Sequence, residues 1–302
     1  MRVGGQAIME GVLMRSPNFW GMAVRTPSGD VDVQAEPFRS ITAKSKLFRL
    51  PVIRGVFSLA ETLWLGMKAL TLSTNIALGE EEDLSKKEIA VTMLFGLGLA
   101  FVLFLAVPVW GTKGLGLVLA GTENPIVFNL IEGVLRILVF MAYLLGITAI
   151  SKDVKRFFAY HGAEHKAIKV YERGEELVPE NARKLDTSHV RCGTSFILYV
   201  LVLSILVFSF LGVQGWLEMV LSRVVVIPLV AGLAFEFIMW SAKHQGSQAV
   251  RALIWPGLQL QKLTTREPTD DQVEVAMASL KKVLAKEEEA RIAPDATNKL
   301  VI

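Results

Sequence analysis

The sequence predicts a mainly α-helical, polytopic membrane protein. It has four transmembrane helices, a further helix lying in the interface and a small N-terminal β-hairpin. Three observations carry this. Hydrophobic residues make up 52% of the 302-residue chain. Four uncharged or nearly uncharged stretches are each long enough to cross about 30 Å of hydrocarbon as helix, the structure that satisfies a lone span's backbone. Nine Lys and Arg residues crowd the loop after the second stretch, whereas the loop after the first carries only Lys113, and only Arg223, at the start of the fourth stretch, follows the third. That asymmetry puts both termini on the cytoplasmic side by the positive-inside rule. The composition excludes an ordinary soluble enzyme. A single cysteine, Cys192, excludes an intramolecular disulfide. The formal charge of +3 says less than its placement. No basic segment followed by an apolar core opens the chain, so no cleavable signal peptide is expected, and there is no repeat.

Three regions follow. Residues 1–88 form a cytoplasmic N-terminal region with the hairpin and the interfacial helix. Residues 89–240 form the transmembrane region, with a His-rich cytoplasmic loop at 151–193. Residues 241–302 carry amphipathic helices and a loose tail.

In order, Gly4-Gly5-Gln6-Ala7-Ile8-Met9-Glu10-Gly11 reads as a turn leading into packed structure; it lacks the Gly-x-Gly-x-x-Gly fingerprint of dinucleotide sites. Met22 to Gln34 alternates on both sides of Thr26-Pro27-Ser28-Gly29-Asp30 and predicts the hairpin. Val52 to Ala77 is long and apolar. Arg54, Glu61 and Lys68 recur every seven residues along it, which predicts an interfacial helix with its charged stripe toward water. Residues 80–88 form a charged linker. The spans are Ile89–Trp110, Ile126–Ile150, Thr194–Val213 and Val220–Trp240. Glu132 and Arg136, four apart in the second, predict an intrahelical ion pair facing the bundle. Val250 to Leu263 suits the membrane interface. Val273, Met277, Leu280 and Leu284 form the apolar stripe of a last helix, capped by Thr269 or Asp270.

The chemistry concentrates between Phe157 and Phe196, which hold three of the four histidines and the cysteine. If residues 161–165 are helical, His161 and His165 stack one turn apart with Glu164 beside them. Two imidazoles so placed can share one metal ion, and the carboxylate can take a proton from a bound water. His-x-x-Glu-His is also the spacing of inverted zinc hydrolases. Gly162 costs such a helix roughly 1 kcal/mol. The bland alternative is a pair of hydrogen-bonded histidines at a membrane surface. His189 and Cys192 favour the metal, since they add N and S donors in the same loop. Glu236, near the cytoplasmic end of the fourth span, and His244 just beyond it are expected at the same depth. A carboxylate there needs a partner: a metal, a histidine or a nearby cation.

The blocks Gly4 to Arg15, His161-Gly162-Ala163-Glu164-His165-Lys166, His189 to Phe196 and Leu263-Thr264-Thr265-Arg266-Glu267-Pro268 resemble, in this order, the YqhQ-like family of bacterial membrane proteins. Its members have no known function and are commonly labelled metal-dependent enzymes. The resemblance implies a bacterial cytoplasmic membrane location more firmly than a reaction.

Two functions compete. The first is a metal-dependent hydrolase at the cytoplasmic membrane face. His161 and His165 would be ligands, with a third drawn from Glu236, His189 or Cys192, and Glu164 would be the general base. Zinc suits these donors, with iron or manganese as alternatives. The substrate would be borne by the lipid bilayer: a headgroup, a lipid-linked precursor or a membrane peptide. Arg191, Lys166 and Lys169 could hold a phosphate, although positive-inside topology already accounts for them. The second is a non-enzymatic scaffold or regulator whose histidines form a structural metal site or a polar plug, with a cytoplasmic protein partner or a homo-oligomer. No nucleic-acid partner is expected. A transporter is disfavoured because four spans with one internal ion pair show no inverted repeat.

Overall fold

Period-two alternation organises the N-terminal region. The computed structural model describes residues 1, 3–79, 86–211 and 216–292. Strands β1 (Gly4–Ile8), β2 (Gly11–Arg15), β3 (Phe19–Arg25) and β4 (Val31–Pro37) form one antiparallel sheet in that order. The expected hairpin is β3–β4, paired from Arg25↔Val31 to Phe19↔Pro37. The glycine-rich opening is not simply a turn. It is a second hairpin, with Ile8 paired to Gly11 around Met9-Glu10. The turn lacks the usual Asn-Gly signal, and Glu10 adopts the positive φ such a turn needs (50°).

Both faces of the sheet are covered. Val3, Ala7, Val12, Met14, Phe19 and Ala23 face one side, where helices α5 (Lys152–Glu172) and α10 (Asp270–Ile292) close the core through Tyr160, Ala163, Val273, Met277 and Leu280. Ile8, Leu13, Trp20, Met22 and Val24 face the other side, against Leu65 and Ala69 of α1 (Ile53–Leu78). Each fully buried aliphatic side chain of this kind contributes about 1.5–3 kcal/mol. The stripe expected on α10 is in place: Val273, Met277 and Leu280 are buried and Leu284 packs beside them. Gln272 Oε1 accepts from the Thr269 N–H, half of a capping box.

The charged stripe of α1 is paired along its length: Arg54 and Lys68 remain solvent-accessible, and Glu61 is buried. Arg54 pairs with Glu236, Glu61 with Arg15 and Ser40, and Lys68 with Glu36 while lying over the Trp20 ring. The sheet and a neighbouring helix supply partners that heptad spacing cannot reveal. The exposed face of α1 is instead apolar, carrying Leu63, Trp64 and Met67. Such a face suits a lipid boundary.

Four helical stretches are long and apolar enough to cross a membrane: Ala90–Leu115, Pro125–Ile150, Gly193–Leu211 and Leu221–Ser241. The first comprises α2 (Lys86–Phe101), a π-helical turn (Val102–Ala106) and α3 (Val107–Leu115). The others belong to α4 (Pro125–Ile150), α7 (Gly193–Leu211) and α8 (Trp216–Ser241). Asn124 caps α4, its side chain accepting from Ile126 N. Glu132 and Arg136 pair within α4, as their spacing predicts; Arg223 of α8 lies 3.6 Å from Glu132, and Arg136 Nε donates to Phe104 O in the π-helical turn. π-Turns leave such carbonyls open to outside donors. The linker at 80–85, the end of the third span at 212–213 and the tail at 293–302 lie outside the described residues. Residues 290–292 are still helical.

The end of α4 runs directly into α5. Cys192, just before α7, reaches His161 of α5, and Glu236, near the end of α8, reaches Arg54 of α1. The sheet, α5, α9 (Gln248–Thr264) and α10 gather at these helix ends.

Candidate metal centre

α5 begins at once after α4. Ser151 ends one helix and caps the next, its hydroxyl accepting from Val154 N, and Asp153 occupies the first turn. Residues 161–165 are thus helical, and the rings of His161 and His165 stand with centroids 4.5 Å apart. Gly162 is no helix breaker here. A Cβ on it would meet the Arg266 carbonyl oxygen at 2.1 Å. The extended chain after α9 crosses α5 at this point, and Arg266 N donates to Phe158 O (2.9 Å).

That crossing orients the histidines. His161 Nδ1 lies 2.8 Å from Thr264 O, and His165 Nδ1 lies 2.5 Å from Thr187 O. A carbonyl only accepts, so both Nδ1 atoms carry a proton, and Nε2 is the atom that holds the lone pair of a neutral ring. Cys192 Sγ sits 3.3 Å from His161 Nε2. The metal-capable atoms of His161, His165 and Cys192 all lie within 4.8 Å of one another. Ligands of one zinc ion stand roughly 3.3–3.8 Å apart, so small shifts would close the set. Burial lowers the pKa of His165, which keeps it neutral and able to ligate. Imidazole and thiolate are donors that zinc prefers, so the residues fit such an ion.

Glu164 is buried beside this triangle, with its Oε2 4.0 Å from His161 Nε2. A Cβ on Gly5 of β1 would meet its side chain at 2.7 Å, so the glycine of the opening block makes room for the carboxyl. Burial pushes the Glu164 pKa up to about 7, partly opposed by His161 and Arg191. A carboxyl so placed exchanges its proton near neutrality.

The other expected ligands are held elsewhere. His189 packs with its ring centroid 5.5 Å from that of His165, but its Nε2 faces Glu172 Oε2 at 3.4 Å. His189 and then Arg191 hold the Glu172 carboxyl down at about 2. Glu236 is at the same end of the bundle but does not converge on the histidines: Arg54 takes both its oxygens. A guanidinium fork matches a carboxylate, so the partner the carboxylate needs is a cation from α1. His244 is exposed, its Nδ1 on Trp240 O at 2.8 Å. Lys166, read by its charge as a topology signal, is buried and paired with Glu267.

Sequence reasoning did not single out Gln261, Thr187 or Thr264. The Gln261 side chain bonds both the N–H and the carbonyl of His189 (2.8 Å each) and donates to Ser195 Oγ (2.7 Å). Thr187 Oγ1 and Thr265 Oγ1 stand 3.1 Å apart. These bonds tie the 186–195 loop to the end of α9, placing both backbone acceptors over α5. Of the three, only Thr264 lies in a block that the sequence marks out, Leu263 to Pro268; nothing local to Gln261 or Thr187 signals their part.

Together these features define a class: a four-span membrane protein whose sheet-and-helix unit at one end of the bundle buries a His-His-Cys cluster beside a carboxyl. The chain belongs to the family described as a protein of unknown function, DUF1385, which matches residues 50–286. It is also similar to an uncharacterized protein, YqhQ, from Bacillus subtilis (strain 168), at 32% identity over 93% of this chain and 92% of that one. No solved structure matches the chain.

Proposed function

We propose that the protein is a metal-dependent hydrolase working at the cytoplasmic face of a bacterial membrane on a membrane-borne substrate. The carrying observation is the pair of backbone carbonyls, Thr264 O and Thr187 O, that hold both imidazoles by Nδ1, with His161 Nε2 on Cys192 Sγ and His165 in the same cluster. Backbone acceptors of this kind are the outer partners that ligating histidines use. His161, His165 and Cys192 would hold the ion. Zinc is the first choice, and when bound it would supply Lewis acidity toward water and the scissile bond. Glu164 receives the proton at Oε2 and holds it in a dry site. The sheet and α5 around it keep bulk water from that carboxyl. The cytoplasmic placement rests on the positive charge between α4 and α7.

A second reading is a structural ion. The Gln261 bonds that lock the 186–195 loop favour it, because a metal at Cys192 would reinforce the same fastening.

Elemental analysis of the purified protein is the test. One ion per chain is expected in the wild type, with loss in His161→Ala and Cys192→Ser and retention in Glu164→Gln. A metal-free wild type that also fails to take up zinc would end the metal reading. Turnover of a lipid-borne substrate that survives Glu164→Gln would leave the structural site.

A further inference from the structure

A cavity of about 500 Å³ adjoins the cluster. Its cations are Lys169 on α5, Arg173 just past the end of α5, Arg191 in the loop and Arg251 on α9, against one lining carboxylate, Glu172. Glu172 is already engaged by Arg191, and Lys169 reaches out to Asp186. Arg173 has only a 3.8 Å approach to Glu175, and no ion pair to the Arg251 guanidinium is formed among the described residues. The site therefore retains unspent positive charge. Its other wall is apolar, made of Ala242, Ile254 and Leu258. Next to Arg251 and Ile254 on α9, Leu253 and Trp255 are exposed, which marks this helix as one that lies at the bilayer surface. His189 lines the cavity and stacks beside His165, so a single ring separates it from the metal cluster.

We propose that this cavity seats the phosphate of an anionic membrane lipid, with Arg251 and Arg173 on the phosphate oxygens and the glycerol and first acyl carbons along Ile254 and Leu258. This deepens the hydrolase reading by naming its substrate class. The volume falls within the usual range for small-ligand sites, about 300–1,000 Å³. Guanidinium groups grip phosphate oxygens bidentately, which an ammonium cannot do. A wall that is cationic on one side and apolar on the other fits a headgroup still attached to its chains better than a free phosphate. A single acidic side chain among four basic ones does not suit a cationic peptide.

The test uses the full-length protein in mild detergent, with three probes: short-chain phosphatidylglycerol, short-chain phosphatidylcholine and inorganic phosphate. Phosphatidylglycerol should bind at least about tenfold more tightly than either of the others, and Arg173→Gln with Arg251→Gln should weaken it about tenfold. Both positions are exposed, so the double variant should keep its fold and its metal content. Equal binding of the two lipids, or no effect of the double variant, would overturn the proposal. Inorganic phosphate competing at the same concentration as the lipid would show a soluble phosphate site instead. His161→Ala separates the two readings: it should lose metal while keeping lipid, so a failure of either one shows without the other.

Discussion

Gly162→Ala sets a local rule against a tertiary contact. On helix propensity alone, the change should stabilise α5 by about 1 kcal/mol. The structure predicts the opposite sign. The new methyl would stand 2.1 Å from Arg266 O. Ordinary carbon–oxygen contacts begin near about 3.3 Å, so the 264–266 segment must retreat by more than an ångström. Backbone cannot swing aside as a side-chain tip can, and overpacking of this kind costs typically about 1–3 kcal/mol. The retreat also pulls Thr264 O away from His161 Nδ1, now at 2.8 Å. The variant should therefore melt lower than wild type in the same detergent and bind zinc more weakly. Thermal unfolding followed by circular dichroism, together with a zinc titration against a competing chelator, reads both effects. A variant as stable as wild type or more so, with undiminished zinc affinity, would show that the segment does not cross α5 at Gly162, and the account of how His161 is oriented would fall with it.

Three other perturbations have defined outcomes. Glu236→Gln should leave metal content unchanged, because Arg54 and not the cluster is its partner; loss of the ion would restore Glu236 as a ligand. For Glu172, a folded pKa of about 2 against an ordinary value of 4.5 means that its stabilisation is complete above pH 4.5 and is lost as pH falls toward 2. Since the side chain is 41% exposed, solvent screening limits the contribution to about 1 kcal/mol or less. Glu172→Gln should lower stability slightly at neutral pH and flatten acid unfolding in that window; an acid profile identical to wild type would contradict the pairing. Alkaline phosphatase fused after Thr122 should be active and fused after Gln245 inactive, and the reverse pattern would invert the orientation.

The spans, the α10 stripe and the Glu132–Arg136 pair were legible in the sequence because each is a property of neighbours along the chain. Hydrocarbon thickness sets the length of an apolar helix, and the helical repeat sets which residues share a face. The same repeat put His161, Glu164 and His165 together once α5 was helical. Other features depend on residues far apart in sequence. Heptad spacing on α1 could show a stripe but not that Arg15, Glu36 and Glu236 would meet it. Glu236 carried a need for a partner, and which partner was a matter of packing. The β1–β2 hairpin was hidden because its residues answer to packing partners and not to strand propensity: Gly5 lies under Glu164 of α5, and Gln6 presses on Gly66 of α1. Composition announced that Cys192 and the histidines were concentrated. That Cys192 joins His161 and His165, while His189 turns to Glu172, was decided by the loop that Gln261 fastens, since an imidazole's direction is set by what its other nitrogen bonds.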